Sequence, residues 1–190
     1  MRSRFVSRGG EKLDAALDYF QLSVCGLICA DLGSHVGGFV DCLLQRGAGR
    51  VHAVDTAYGI LAWRLRRNPG VVVWERTNAI YFQPAELLDV VTIDVGWTKQ
   101  GVILPTVAGW MDSSRSAAYV VTLIKPHYEA PRERLNHGVL DEESCSRTVD
   151  EVLVGVRNSG WAVRGTFHSP LRGHGGNQEV FALLTRPIGC

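Results

Sequence analysis

Four charged residues lie far apart in the sequence but fall where an α/β sheet would gather them: Lys12, Asp94, Lys125 and Glu179. Asp94 follows the apolar run V-V-T-I, and Lys125 follows Y-V-V-T-L-I just before Pro126. In a parallel sheet both would project from the carboxyl edge, where such folds bind ligands. Glu179 opens the last apolar run, and if that strand returns antiparallel beside the fifth, its start reaches the same edge. Lys12, from a helix ahead of the first strand, can complete the group. Two lysines and two carboxylates at one edge can meet as opposite charges. Singly, Asp94 reads as a strand-end cap, Lys125 as a snorkelling lysine, Glu179 as an edge ion pair and Lys12 as a solvated cation. Their shared edge is what favours chemistry.

A second constellation is I-C-A-D-L-G-S-H-V-G-G-F at 28–39. An apolar run ends in Asp31, and a bend follows through Gly33, His35, Gly37 and Gly38. Phe39, Val40, Leu43 and Leu44 then recur at helical spacing, so the glycines occupy a strand-to-helix turn. The spacing G-x-x-x-G-G is neither the G-x-G-x-x-G of a dinucleotide site nor the G-K-[ST] ending of a phosphate-cradling loop. Asp55 closes the next apolar run, where its carboxylate can accept both hydroxyl hydrogens of a ribose. An acid before the loop, glycines within it and an acid one strand later suit a nucleoside with a charged amino-acid arm, the description of S-adenosylmethionine. The glycines alone fit a tight turn in any α/β protein; Asp31 and Asp55 in register carry the cofactor reading.

Periodicity indicates the elements that must position these groups. Leu13, Ala16, Leu17 and Phe20 predict an amphipathic helix over 11–20, with Gly9 and Gly10 ahead of it. Lys12 then falls in the first turn, where the macrodipole disfavours a cation. Strands over 27–31, 51–55 and 71–74 alternate with helices over 38–45 and 61–66. A strand over 89–95, a helix over 102–111 and a strand over 118–124 continue the parallel sheet. The 126–143 stretch has no apolar period and reads as the longest connection. A helix over 144–156 and an antiparallel pair over 161–167 and 179–184 complete the pattern. The expectation is one domain over 1–190 with a basic arm at 1–10. Its fold would be Rossmann-like α/β, a mostly parallel seven-stranded sheet with an antiparallel last strand and helices on both faces.

Composition excludes several classes. At 190 residues, 46% hydrophobic and 21% charged, the chain is globular, and no apolar run reaches membrane-spanning length. The basic start lacks the apolar core of a secretory signal, so a cytoplasmic location is expected. Cys25, Cys29, Cys42, Cys145 and Cys190 form no C-x-x-C pair and are expected to be reduced thiols packed as small hydrophobes. The six histidines show no ligand-pair spacing, and no metal is expected. A net charge of +1 does not announce a nucleic-acid binder. Three basic clusters could still track a phosphate backbone if they shared one side of the fold: Arg2, Arg4, Arg8 and Lys12; Arg64, Arg66 and Arg67; Arg132 and Arg134.

V-S-R-G-G-E-K-L at 6–13, D-L-G-S-H-V-G-G-F-V-D-C-L-L-Q-R-G at 31–47, A-V-D-T-A-Y-G-I-L-A-W-R-L-R at 53–66, E-R-T-N-A at 75–79, I-D-V at 93–95, L-I-K-P at 123–126 and G-N-Q-E at 176–179 form an ordered set. Together they resemble the methyltransferase domain of the TlyA-type hemolysin/rRNA methyltransferase family, part of the wider FtsJ/RrmJ-like group. The resemblance spans about 5–184. It implies a Lys-Asp-Lys-Glu tetrad on Lys12, Asp94, Lys125 and Glu179. It also implies S-adenosylmethionine contacts at Asp31, Gly33, Gly37 and Gly38, with His35 and Phe39 at the bend, Asp55 at the ribose, and Asn78 and Ala79 near the adenine.

The implied reaction is methyl transfer to a ribose 2′-hydroxyl of ribosomal RNA, with rRNA or a ribosomal subunit as partner, Lys125 at the hydroxyl, and no metal. A free lysine is protonated at neutral pH, so a base role requires burial or the neighbouring Lys12 to favour the neutral form. Three departures bear on this. His35 and Val36 replace the family's Ser-Thr, D-V-G-W-T-K-Q at 94–100 replaces D-V-S-F-I-S-L, and H-G-G-N at 174–177 replaces P-K-G-N. Family members usually carry an amino-terminal RNA-binding module, and this sequence begins almost at the family's S-R-G-G, so a separate RNA-binding partner is an open expectation. The altered loop leaves a second reading, a cofactor-binding, catalytically weak RNA- or ribosome-associated protein. A membrane-active hemolysin follows only from the family's name; no spanning segment or basic amphipathic helix supports it.

Overall fold

A computed structural model describes residues 4–111 and 118–186. In chain order the elements are α1 (Arg8–Tyr19), β1 (Ile28–Leu32), α2 (Gly38–Gln45), β2 (Arg50–Val54), α3 (Trp63–Arg66), β3 (Val71–Trp74), β4 (Val90–Ile93), α4 (Gln100–Val107), β5 (Tyr119–Ile124), α5 (Pro126–Glu129), α6 (Glu142–Asn158), β6 (Ala162–His168) and β7 (Val180–Thr185). The strands form one sheet in the order β3-β2-β1-β4-β5-β7-β6. The first five are parallel, whereas β7 runs antiparallel to both β5 and β6. This is the Rossmann-like, mostly parallel seven-stranded arrangement anticipated from the sequence.

The parallel strands read as continuous apolar runs because both faces are covered. Alternate residues serve opposite layers. Ala30, Leu32, Val91 and Ile93 pack with Ile103, Leu104, Val149 and Leu153 of α4 and α6, while Cys29, Val51, Ala53 and Val90 pack with Leu13 and Leu17 of α1 and Val40 and Leu43 of α2. The chain leaves β1 toward β2 and β3, then returns to place β4 on the other side of β1. That reversal opens a crevice at the carboxyl ends of β1 and β4.

Several sequence expectations are corrected. Gly9 and Gly10 lie inside α1, because the helix starts at Arg8 after an extended Ser7. Lys12 therefore sits beyond the first turn, where the macrodipole penalty has largely decayed. The 126–143 stretch is not structureless: it holds α5 and a 3₁₀ turn at Arg132–Arg134, and its Ala130 and Leu140 form a small apolar cluster with Cys145 of α6. Short elements of this kind carry too few residues to show a period. Cys25 is exposed, unlike the buried Cys29, Cys42 and Cys145, while Cys190 and Arg2 lie outside the described residues. The basic clusters are largely neutralised within the fold, since Arg4 pairs with Asp14, Arg64 with Asp41, Arg66 with Glu75 and Arg134 with Glu151. Among the described residues, no helix is long and apolar enough to cross a membrane, and no cluster of His, Cys, Asp and Glu could hold a metal ion.

Candidate active site

Three of the four charged residues stand at strand ends facing the crevice, and the fourth comes from within a helix. Asp94 and Lys125 directly follow β4 and β5, Glu179 directly precedes the antiparallel β7, and Lys12 projects from α1. They meet as two ion pairs. The Lys125 Nζ lies 2.7 Å from Asp94 Oδ1 and donates to the Asp94 carbonyl at 3.3 Å. The Lys12 Nζ donates to Glu179 Oε2 at 2.6 Å. The pairs also sense each other: burial pushes the Asp94 carboxyl above its ordinary range, Lys125 opposes that shift, Glu179 adds to it and Lys12 reduces it. Glu179 is almost fully enclosed, and its seat depends on Gly173, where a Cβ would come within 2.6 Å of the Glu179 carboxyl carbon.

The glycine bend forms the floor beside them. Gly33 has a φ of +89°, and a Cβ there would sit 2.7 Å from the Asp94 carbonyl oxygen, so only glycine lets the ends of β1 and β4 close up. Gly37 precedes α2 as its N-cap, in the left-handed region at φ +99°. The neighbouring Gly38 does a different job: a Cβ there would meet the Gly10 nitrogen at 2.9 Å, so this glycine admits the start of α1.

Asp31 lies within β1 and is fully buried. Its Oδ1 accepts from Thr92 Oγ1 at 2.8 Å, while Oδ2 has no hydrogen-bond partner. Burial raises its carboxyl to about 8, Thr92 and the Val40 amide oppose that shift, and Asp94 and Asp55 reinforce it. A cleft of ≈ 230 Å³ is lined by Asp31, Gly33, His35, Gly38, Phe39, Lys12 and Asp94, together with Ser7, Arg8, Gly9, Ser34 and Val36. Larger hollows lie along α6 (≈ 970 Å³) and between α6 and β6–β7 (≈ 530 Å³), but neither is lined by any of the residues anticipated from the sequence.

The remaining candidates lie outside the cleft lining. Lys125 and Glu179 reach it through their partners, and Gly37 supports the bend from behind, against Leu61 and Leu65. Asp55 stands after β2, where Oδ2 accepts from the His35 amide and Oδ1 from the Ala57 amide, each at 2.8 Å. His35 thus contributes its backbone, at a φ of +48°, to tie the bend to β2. Asn78 caps the 3₁₀ turn Ala79–Tyr81 by accepting from the Ile80 amide at 3.0 Å, and the adjoining Thr77 amide donates to the Asp55 carbonyl. The Thr77 bond ties the segment carrying Asn78 and Ala79 to the end of β2, and Ala79 packs in the same layer as Leu32, Ile93 and Ile103.

Residues 5–186 match the FtsJ-like methyltransferase family model. The chain belongs to this family. It is 40% identical over 185 residues to the 16S/23S rRNA (cytidine-2′-O)-methyltransferase TlyA of Mycobacterium tuberculosis, covering 95% of this chain and 68% of the relative. It is 32% identical to Hemolysin A of Brachyspira hyodysenteriae, with 94% and 76% covered. A solved structure from Streptococcus thermophilus assigned to the hemolysins superposes with a TM-score of 0.91 at 37% identity, over 98% of this chain and 68% of that one. The chain thus spans about two thirds of the length of the TlyA relative.

For an FtsJ-like chain the cleft fits one arm of the methyl donor. Its volume falls short of the several hundred Å³ that enclose a whole ligand of that size, while its polar features suit a charged end. The Asp31 oxygen without a hydrogen-bond partner is a ready acceptor for an ammonium. Sequence reasoning missed Thr92 and Gly173. A threonine amid V-V-T-I-D-V, on a strand buried on both faces, was a usable signal; Gly173 carried none.

Proposed function

We propose that this chain is an S-adenosylmethionine-dependent rRNA methyltransferase acting on a ribose 2′-hydroxyl. The observation that carries the reading is the meeting of the Lys125–Asp94 and Lys12–Glu179 pairs beside a cleft whose buried Asp31 keeps one oxygen free. When bound, S-adenosylmethionine supplies an electrophilic methyl group on a sulfonium. The residues assigned to hold it are Asp31, Gly33, the 34–38 bend, Asp55, Asn78 and Ala79.

The chain's own task is alignment and proton removal, since a hydroxyl is a weak nucleophile until it is oriented and relieved of its proton. Lys125, oriented by Asp94, would hold the ribose hydroxyl and, in its neutral form, take the hydroxyl proton at Nζ, while the bound donor would supply the methyl group. The Lys12–Glu179 pair holds Lys12 at the cleft beside Asp94. The ribose 2′-hydroxyl is also the group that distinguishes RNA from DNA, so a site organised around it selects RNA.

The test is tritiated methyl transfer to ribosomal subunits from cells lacking this gene, with the donor's affinity followed by calorimetry. Lys125→Ala should lower transfer by at least about a hundredfold while donor affinity stays within a few fold. Undiminished turnover in that variant would reject the assignment. Wild-type donor binding without transfer would favour the catalytically weak, ribosome-associated reading.

A further inference from the structure

The sheet edge beyond Asp55 carries a surface that neither the tetrad nor the cleft uses. Tyr58, in the loop after β2, is 67% exposed, and Trp63, which opens α3, is 69% exposed. Each ring has a guanidinium on its face: Arg76 lies 4.3 Å from the Tyr58 ring centroid and Arg67 5.8 Å from that of Trp63. The two units are stitched together by Glu75, which pairs with Arg66 of α3 and accepts from the Gly59 amide at 2.7 Å. Arg76 is anchored through its amide to the Ala57 carbonyl at 3.2 Å.

The charges are unequal in kind. Arg64 and Arg66 are matched by Asp41 and Glu75, whereas Arg67 and Arg76 lie against ring faces with their outer surfaces toward solvent. Tyrosine, tryptophan and arginine planes exposed together at one edge are the elements of a base-stacking platform, because every nucleobase has a π-face and the adjoining guanidinium meets the phosphate.

Placement identifies the occupant. β2 and β3 lie two and three strands from β4 in the sheet, which sets the platform roughly 10–15 Å from Asp94 along the same carboxyl edge. That span corresponds to a few nucleotides of extended chain. We infer that Tyr58 with Arg76, and Trp63 with Arg67, stack bases of single-stranded RNA flanking the nucleotide whose ribose enters the site. This inference rests on the proposed RNA substrate and assigns it a second contact region.

Fluorescence anisotropy with a labelled single-stranded RNA of about 12 nucleotides, a length such platforms cover, tests it on the full chain. Tyr58→Ala and Trp63→Ala should each weaken RNA binding by about tenfold, and Tyr58→Phe and Trp63→Tyr should restore most of it. Arg67→Gln with Arg76→Gln should flatten the salt dependence of binding by about two ionic contacts. Donor affinity by calorimetry should not move. RNA affinity unchanged in the alanine variants would overturn the inference, as would a parallel loss of donor affinity, which would assign the rings to the donor instead. The two readings fail separately. Wild-type protein that binds RNA through these rings but transfers no methyl group leaves the platform and removes the enzyme; alanine variants that bind and transfer normally do the reverse.

Discussion

Asp31 is the residue whose environment and assigned task depend most on each other. It is enclosed, Oδ1 accepts from Thr92, Oδ2 has no partner in full hydrogen-bond geometry, and its carboxyl is raised to about 8 chiefly by desolvation, against the opposing pull of Thr92 and the Val40 amide. Near pH 7 the apo protein should therefore hold Asp31 mostly protonated, because a lone buried carboxylate is costly. A donor arriving with an ammonium reverses that preference, since an opposite charge in the cleft stabilises the ionised form. Donor binding at pH 7 should thus release close to one proton. Calorimetry in buffers of differing ionisation enthalpy would read this directly, with a slope near minus one. In Asp31→Asn the slope should vanish and affinity should fall by about tenfold or more, the loss of a charge-assisted hydrogen bond. A buffer-independent enthalpy in the wild type would mean that Asp31 does not receive the donor's cation.

Between elements, the site depends on two close contacts. The first brings α1 to the start of α2 through Gly38, and Val6 reinforces it by donating to Asp41 Oδ2 at 2.8 Å. Gly38→Ala forces a Cβ against backbone, so it should destabilise the fold by about 1–3 kcal/mol and displace Lys12 from Glu179, seen as a lower urea midpoint together with reduced transfer. The second joins the segments after β4 and β5. Glu129 Oε1 accepts from the Gln100 amide at 2.8 Å, the Glu129 carbonyl accepts from Lys99, and Gln100 Oε1 accepts from the buried Thr122 hydroxyl at 2.8 Å. This stitch fixes the turns that carry Asp94 and Lys125. Glu129→Ala should lower kcat by about tenfold with little change in donor affinity, and Glu129→Gln, which keeps an acceptor oxygen, should recover most of the rate. At this scale the sequence was informative where residues recur in runs, hence the strands and the strand-end positions of Asp94, Lys125 and Glu179. It was silent where a contact depends on close approach of distant backbone. Gly9 and Gly10 read as a break before a helix because their reason for being glycine, Phe5 under Gly10 and Gly38 opposite, lies elsewhere in the chain.

Taken over the whole molecule, these local charges give an asymmetric pH dependence of stability. Asp31 and Asp94 have folded-state carboxyls raised by burial, so between the unfolded and folded values the native state binds more protons than the unfolded chain. Unfolding free energy therefore falls as pH rises through that window, for Asp31 from about 4 to about 8. Asp18, Glu75, Glu86 and Glu151 act in the opposite sense. Arginine partners hold their carboxyls low, so they contribute stability above the ordinary carboxylate range that is lost as pH falls through it; Asp18 and Glu151, being exposed, contribute little, and Glu75 and Glu86 are half-buried. The fold, legible from alternating apolar runs, gave no hint of this profile, because it arises from which carboxylates end up without a cation. The apo protein should be most stable near pH 5, with stability declining toward pH 8 by a few kcal/mol and no more than roughly 5 from Asp31. Urea midpoints measured across that range check the decline. Saturating donor should flatten it, because the cation that fills the cleft offsets the charge whose burial causes the fall, and Asp31→Asn should flatten it without ligand. A wild-type midpoint that climbs from pH 5 to pH 8 would place the ionised Asp31 in a site already neutralised by the protein, leaving the cleft no reason to prefer a cationic guest.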